Sequence, residues 1–318
     1  MPFFVQLRFT LWLAKNAATS QHAGYHCMKE STPPSGGAQG NLRFVDLAAI
    51  KALPPFPAVA ARLLSVIADE DADFREVTQL IMTDTALSGQ VLRLANSSIF
   101  GFREEVKSVL RALCLMGANR VRDMLITVAL KGYIGAADGS PRAAIWRHSL
   151  ATALWGEVIA QRYRLDKPMT YTAALLHDIG RIALVMLAPE RSAMFFERVS
   201  ESADRDLRPL EREMLGLDHC QVGGHLARLW HFQGALQDVI AHHHDAVAPD
   251  SPPARVLVQA ACAAASMSGF HAAGRDRDWD PAYLETLLAP SPTGARPPLE
   301  EMRQKVSQEL NLVECSLL

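Results

Sequence analysis

The stretch Thr172–Arg181 reads TAALLHDIGR. Ala173, Ala174, Leu175 and Leu176 are apolar and read as one turn of buried helix. His177 and Asp178 follow, an imidazole beside a carboxylate inside an apolar run that resumes with Ile182–Leu187. Gly180 permits a helix end or a close backbone approach. Burying a charge without a partner is costly. The His-Asp pair therefore requires either a divalent metal or a hydrogen-bond network, and the local sequence leaves both open.

Outward from this stretch the apolar period stays helical. Towards the N-terminus, Leu47, Ile50 and Leu53 recur every three residues. Leu53-Pro54-Pro55-Phe56-Pro57 is a stiff break, because proline fixes φ and lacks a donor. Val59, Leu63, Leu64 and Ile67 form an amphipathic stripe. Asp73, with Glu76 three residues on, reads as a capping box. Asp84 starts a helix carrying Leu87, Val91, Leu92 and Leu94, and Asn96-Ser97-Ser98 closes it, as a cap or as a ligand loop. Ser108 starts another, and Gly117 separates that one from Val121–Leu130.

Asp138-Gly139-Ser140-Pro141 marks a boundary between two helical blocks. In the second block a helix over Ala143–Arg162 carries His148 and Trp146. Asp218 is the expected N-cap of a helix with Val222, Leu226, Leu229 and Trp230 as its apolar stripe. The two tryptophans read as core anchors. A further helix ends in His242-His243-His244-Asp245. Small residues fill a helix over Val256–Met267, and an amphipathic helix spans Leu299–Leu312, a candidate for self-association. No alternating apolar pattern occurs, so the expected fold class is all-α.

The 318 residues are 49% hydrophobic and 21% charged, with a formal net charge of -2. That balance lacks the basic surplus of a nucleic-acid binder. Cys27, Cys114, Cys220, Cys262 and Cys315 are scattered without a CxxC, which argues against a disulfide framework and fits a reducing cytoplasm. No apolar run reaches the roughly 18 residues of a membrane span. Residues 1–43 read as a disordered or wrongly assigned N-terminal extension, with Met28 as an alternative start to Met1.

His148, His177, Asp178, His219, His243 and His244 come from four separate helices. Imidazole and carboxylate suit Zn, Fe or Mn, and such ions acidify bound water towards neutral pH for attack on phosphate esters. The competing reading is a hydrogen-bonded polar seam in a helical core. Spacing alone does not choose between them.

Six segments in order carry a family resemblance: LPPFPAVAARLL, IMTDTALSGQVLRLANSSIFG, SVLRALCLMGANRVRDM, AALLHDIGRIAL, LEREMLGLDHCQVGGHLARLW and IAHHHD. From Leu53 to about Ala265 the chain resembles the HDOD domain, a bacterial relative of the HD and HD-GYP metal-dependent phosphohydrolases. The resemblance implies an N-terminal helical block (44–138) packed on an HD-like block (141–270), with 271–318 as linker and helix. It matches His148, His177 and Asp178 to one metal's ligands in catalytic relatives, and His219, His243 and His244 to the further histidines of HD-GYP proteins. A late Asp expected near Val256–Ala265 is replaced by Cys262, which reads as packing in an Ala-rich helix or, alternatively, as a thiolate ligand. Ala144 stands where some HD-GYP enzymes carry a glutamate, and Asp245-Ala246-Val247 replaces the GYP segment.

What the resemblance implies is a stand-alone signalling protein that binds a protein partner or a small regulatory ligand without turnover. The alternative is a phosphohydrolase acting on a nucleotide or cyclic dinucleotide, with Fe, Mn or Zn as cofactor. Metal binding without catalysis is a third reading. Arg181 is expected either to face an anionic ligand or to be an exposed cation, and His242, outside the matched pair, to lie at the surface or just behind the ligands.

Overall fold

A computed structural model describes residues 44–67, 74–97, 100–135, 139–163, 167–200, 206–232, 234–248, 250–274, 279–288 and 298–316. The expectations for residues 1–43, the Asp73 cap, Ser98 and Asp138 lie outside the described residues. Every described element is helical, and no strand occurs among the described residues.

A 3-10 turn at Ala49–Ala52 leads through the proline break into α1 (Ala58–Ile67). α2 (Phe74–Thr83), α3 (Thr85–Ala95), α4 (Val109–Met116) and α5 (Ala118–Ile134) complete the first block. Their ends follow the expected capping chemistry. The Asp84 carboxylate accepts from the amides of Ala86 and Leu87, and the Ser108 hydroxyl from Arg111. Asn96 closes α3 by donating to the carbonyls of Leu92 and Val106 and accepting from the Val106 amide. A structural role thus occupies Asn96.

The second block is built on α6 (Pro141–Tyr163), α7 (Lys167–Leu176), α8 (Ile179–Leu187) and α9 (Pro189–Val199). α10 (Arg208–Leu215), α11 (His219–Leu229), α12 (Gly234–His242) and α13 (Pro253–Met267) follow. Asp218 caps α11 in a full capping box with Gln221. Val222 and Leu226 are buried as expected, whereas Leu229 is exposed, because the last turn of α11 runs out of the core before the chain reverses at His231.

One hydrophobic cluster extends from Phe56 to Val313 through both blocks. At the seam the Thr127 and Tyr171 hydroxyls are 2.8 Å apart, and Phe56 and Tyr133 meet Trp230 across ring centroids 4.8 and 5.9 Å away. Trp146 is buried, and the half-buried Trp230 anchors this seam. The first described turn crosses over: Val45 and Ile50 pack with Leu184, Leu215 and Val222, and the Val45 amide donates to the Leu215 carbonyl.

The C-terminal region belongs to the same core. It contains an unexpected short helix, α14 (Pro281–Leu287), and α15 (Leu299–Ser316) runs past the expected end. Leu299, Met302, Val306, Leu310 and Val313 of α15 join the main cluster, and Arg120 bridges Glu157 and Glu309. The apolar face expected to support self-association is used inside the chain. No single helix among the described residues is long and apolar enough to cross a membrane.

Gly180 is where α8 and α11 touch. A Cβ built there would lie 1.9 Å from the His219 carbonyl oxygen and 2.5 Å from the Gly223 nitrogen. Backbone is on both sides, so no rotamer change relieves the clash. Gly180→Ala is expected to destabilise the fold by about 3 kcal/mol or more, at the upper end of overpacking costs, as read from the denaturant midpoint.

Asp123 supplies a pH test remote from the histidines. Burial pushes its carboxyl up from 3.8 to about 7, against the opposing pull of Arg122. The native state then holds the proton more tightly than the unfolded chain. The associated stability is present below 3.8 and is lost as pH rises through about 7. Asp123→Asn should flatten that part of the profile when the urea midpoint is followed against pH.

Candidate metal centre

Each of the six candidate residues is delivered by a helix or a helix end. His148 lies in α6, and His177 and Asp178 form the turn between α7 and α8. His219 opens α11, and His243 and His244 follow the end of α12. Five of these six are 3% exposed or less; His244 is half-buried. The structure therefore brings together residues that are far apart in sequence.

The imidazoles share one arrangement. The Nδ1 of His148 is 2.6 Å from the Phe270 carbonyl, that of His177 2.6 Å from Ala174, and that of His243 3.1 Å from Val239. The His219 Nδ1 is 2.6 Å from Glu211 Oε2. Carbonyls and carboxylates accept, so each Nδ1 carries a proton. Each Nε2 then points inward: His148 and His177 meet at 3.2 Å, and His219 and His243 at 3.3 Å. Ligating histidines are held in this way, with the outer nitrogen tied to a carbonyl or carboxylate.

Asp178 lies between the two pairs. Its Oδ2 is 3.9 Å from the Nε2 of both His148 and His177. Its Oδ1 is 3.5 Å from His219 Nε2 and 3.6 Å from His243 Nε2, and it is buried without a hydrogen-bond partner. Among the described residues, donor atoms that could hold a metal fall into three groups: His148, His177 and Cys262; His219, His243 and His244; and His177, Asp178 and His243. An orphaned buried carboxylate oxygen among convergent imidazole nitrogens fits a cation.

Burial pushes the imidazole of His148 down to about 4, over the opposing pull of Asp178, and holds His177 and His244 well below their ordinary value. Burial acts the same way on His219 and His243, but there the surrounding negative charge prevails. Cys220, Glu211 and Asp178 raise His219, and Cys220 with Asp178 raises His243 to about 9. The Cys220 thiol falls to about 6 despite its burial, drawn down by His219 and His243. Without a metal, His148, His177 and His244 are thus pushed towards the neutral form, and His219 and His243 towards the protonated one.

Arg181 is not the exposed cation that was one expectation from the sequence. It is buried, with Nε 3.3 Å from Asp178 Oδ2 and Nη1 2.8 Å from Glu211 Oε1. Being within the first turn of α8 turns its side chain inward, and two buried carboxylates hold it there. Cys262 does more than pack, since its Sγ is 3.5 Å from His148 Nε2. His242 is at the surface, paired with Asp245 at 2.9 Å. Sequence reasoning missed Glu211 and Cys220. The signal for Glu211 was present: it sits four residues before Leu215, on the face that α10 buries.

A family model for the HDOD domain matches residues 53–246. The chain belongs to the HDOD domain family. This HDOD chain is 23% identical over 198 residues to a curated protein of Treponema pallidum, covering 61% of this chain and 38% of that protein. Its fold is similar to a crystal structure from Shewanella amazonensis named as a candidate phosphohydrolase, with a TM-score of 0.64 and 24% identity over 86% of this chain and 97% of that one. It is also similar to a candidate signal transduction protein of Marinobacter aquaeolei, with a TM-score of 0.69 and 19% identity over 87% of this chain and 62% of that one. At these identities the solved structures bear on the fold.

Arg181 lies between two buried carboxylates at this centre, Asp178 and Glu211. Removing one member of a buried ion pair costs about 3–5 kcal/mol, because the other is left uncompensated. Arg181→Ala should lose stability of that size by denaturant titration. Arg181→Lys, which keeps the charge and loses the fork, should recover part of it.

Proposed function

We propose that this HDOD chain is a signalling module that works by binding a protein partner or a small regulatory ligand, with its histidine cluster holding a metal for structural reasons. The observation that supports this reading is closure. Five candidate ligands are 3% exposed or less, and Arg181 and Glu211 fill the flank beside Asp178. Structural metal sites are closed by protein ligands, whereas catalytic ones keep a position open for water or substrate. The name of the Marinobacter relative, a candidate signal transduction protein, points the same way.

One observation favours a phosphohydrolase as the second reading. Asp178 offers Oδ2 to the His148–His177 pair and Oδ1 to the His219–His243 pair, as a carboxylate shared between two ions does. Two metals so placed supply an acidified water and a clamp on phosphoester oxygens. The Shewanella relative's name fits this alternative.

The deciding experiment takes the whole chain, reconstituted anaerobically with Fe, Mn or Zn. It is assayed on an aryl phosphodiester, on nucleotides and on a cyclic dinucleotide. The expected result is no turnover above the metal blank. The metal-loaded His177→Ala/Asp178→Ala variant should unfold at least about 4 °C lower than the loaded parent, equivalent to roughly 1–2 kcal/mol at this size. Metal-dependent turnover that this double substitution abolishes overturns the non-catalytic reading.

A further inference from the structure

Cys262 occupies the place on α13 where the family resemblance calls for a carboxylate. Its Sγ lies 3.5 Å from His148 Nε2. With His148 and His177 it forms a set whose donor atoms all lie within 4.8 Å of one another. The two Nε2 atoms are 3.2 Å apart, and Asp178 Oδ2 is 3.9 Å from each. Zinc bonds of about 2.0–2.1 Å to nitrogen and about 2.3 Å to sulfur give tetrahedral edges of about 3.3 Å between nitrogens and about 3.6 Å from nitrogen to sulfur. The His148–His177 nitrogen–nitrogen and the His148–Cys262 nitrogen–sulfur separations match those edges, the His177–Cys262 one is within 4.8 Å, and Asp178 Oδ2 stands about half an ångström beyond the corresponding nitrogen–oxygen edge, so it closes the shell by a small inward shift.

We infer that Cys262, as its thiolate, completes a four-ligand zinc site with His148, His177 and Asp178. The exchange of a carboxylate for a thiolate also turns the site towards zinc and away from manganese or magnesium. Thiolate is a soft donor and favours zinc, while all-oxygen sites suit the harder ions. The charges close as well. The Cys262 thiolate and the Asp178 carboxylate neutralise the two charges of the ion, and Arg181 with Glu211 forms a neutral pair beside them. As the Zn–S bond forms, the thiol proton leaves to solvent. Four protein ligands leave no position for substrate, so the inference rests on the structural-metal reading above and gives it a chemical identity.

The test is spectroscopic. The full chain is loaded with cobalt(II), scanned for a thiolate-to-cobalt charge-transfer band in the near ultraviolet, and then titrated with zinc. The band and near-stoichiometric zinc are expected in the parent. Losing a partner outside the ligand shell already weakens metal binding about 10–100-fold. Cys262→Ser should therefore lose the band and at least about tenfold in zinc affinity. Cys262→Asp should lose the band and bind manganese more tightly relative to zinc. Cys220→Ser should retain the band, which assigns the sulfur to Cys262. Bound cobalt with no thiolate band overturns the inference. So does a band that survives Cys262→Ser or disappears with Cys220→Ser. Failure of the parent to take up any metal removes the structural-metal reading too. Turnover by the zinc-loaded parent overturns the non-catalytic reading and with it the four-ligand closure, while the thiolate band alone then reports whether Cys262 ligates.

Discussion

The Asp178 carboxylate is buried among four imidazoles and one guanidinium, and the second block is arranged to satisfy it. Arg181 answers its charge from three residues along the chain, and Glu211 answers Arg181 from α10. Glu211 also accepts from the His219 backbone amide and lies against the His219 ring, fixing the start of α11. One buried negative group thus ties α8, α10 and α11 together through charge-assisted bonds. Their strength in a low-dielectric interior comes with a heavy penalty when any one partner is lost.

Such a network tolerates little displacement, and the glycines set its dimensions. Gly180 and Gly223 allow α8 and α11 to approach at backbone contact, with Ile240 of α12 closing over Gly223. The histidines of α11 and of the turn after α12 reach the His-Asp turn because nothing larger separates these helices. Packing and chemistry are therefore coupled: the same close approach that completes the core places the Nε2 atoms a few ångströms apart.

The two sides of the cluster differ in what stabilises them. Around His219 and His243, the negative charge of Glu211, Asp178 and Cys220 is met by protons on the imidazoles. Around His148 and His177, burial keeps both rings neutral. Two lone pairs then face each other at 3.2 Å beside a thiol and a carboxylate oxygen. A cation relieves that repulsion directly. The asymmetry distinguishes two sides of one buried cluster, one of neutral rings and one where protonated rings and Arg181 answer the carboxylates.

Much of this was legible in order along the chain, because it rests on local chemistry. Helical periodicity predicted an all-α fold, and Asp84, Ser108 and Asp218 marked helix starts through side-chain acceptors placed two or three residues before the amides they cap. The six ligand candidates were recognisable from residue type and from the family resemblance. The sequence could not show that Arg181 faces inward, that Glu211 meets it from another helix, or that Cys262 reaches a histidine 114 residues away. Those outcomes depend on where separate helices cross, and a period of 3.6 residues defines a face without naming what will lie against it. Residue types and helix ends were thus determined by the sequence alone, and the tertiary packing decided which charges and donors share one buried space.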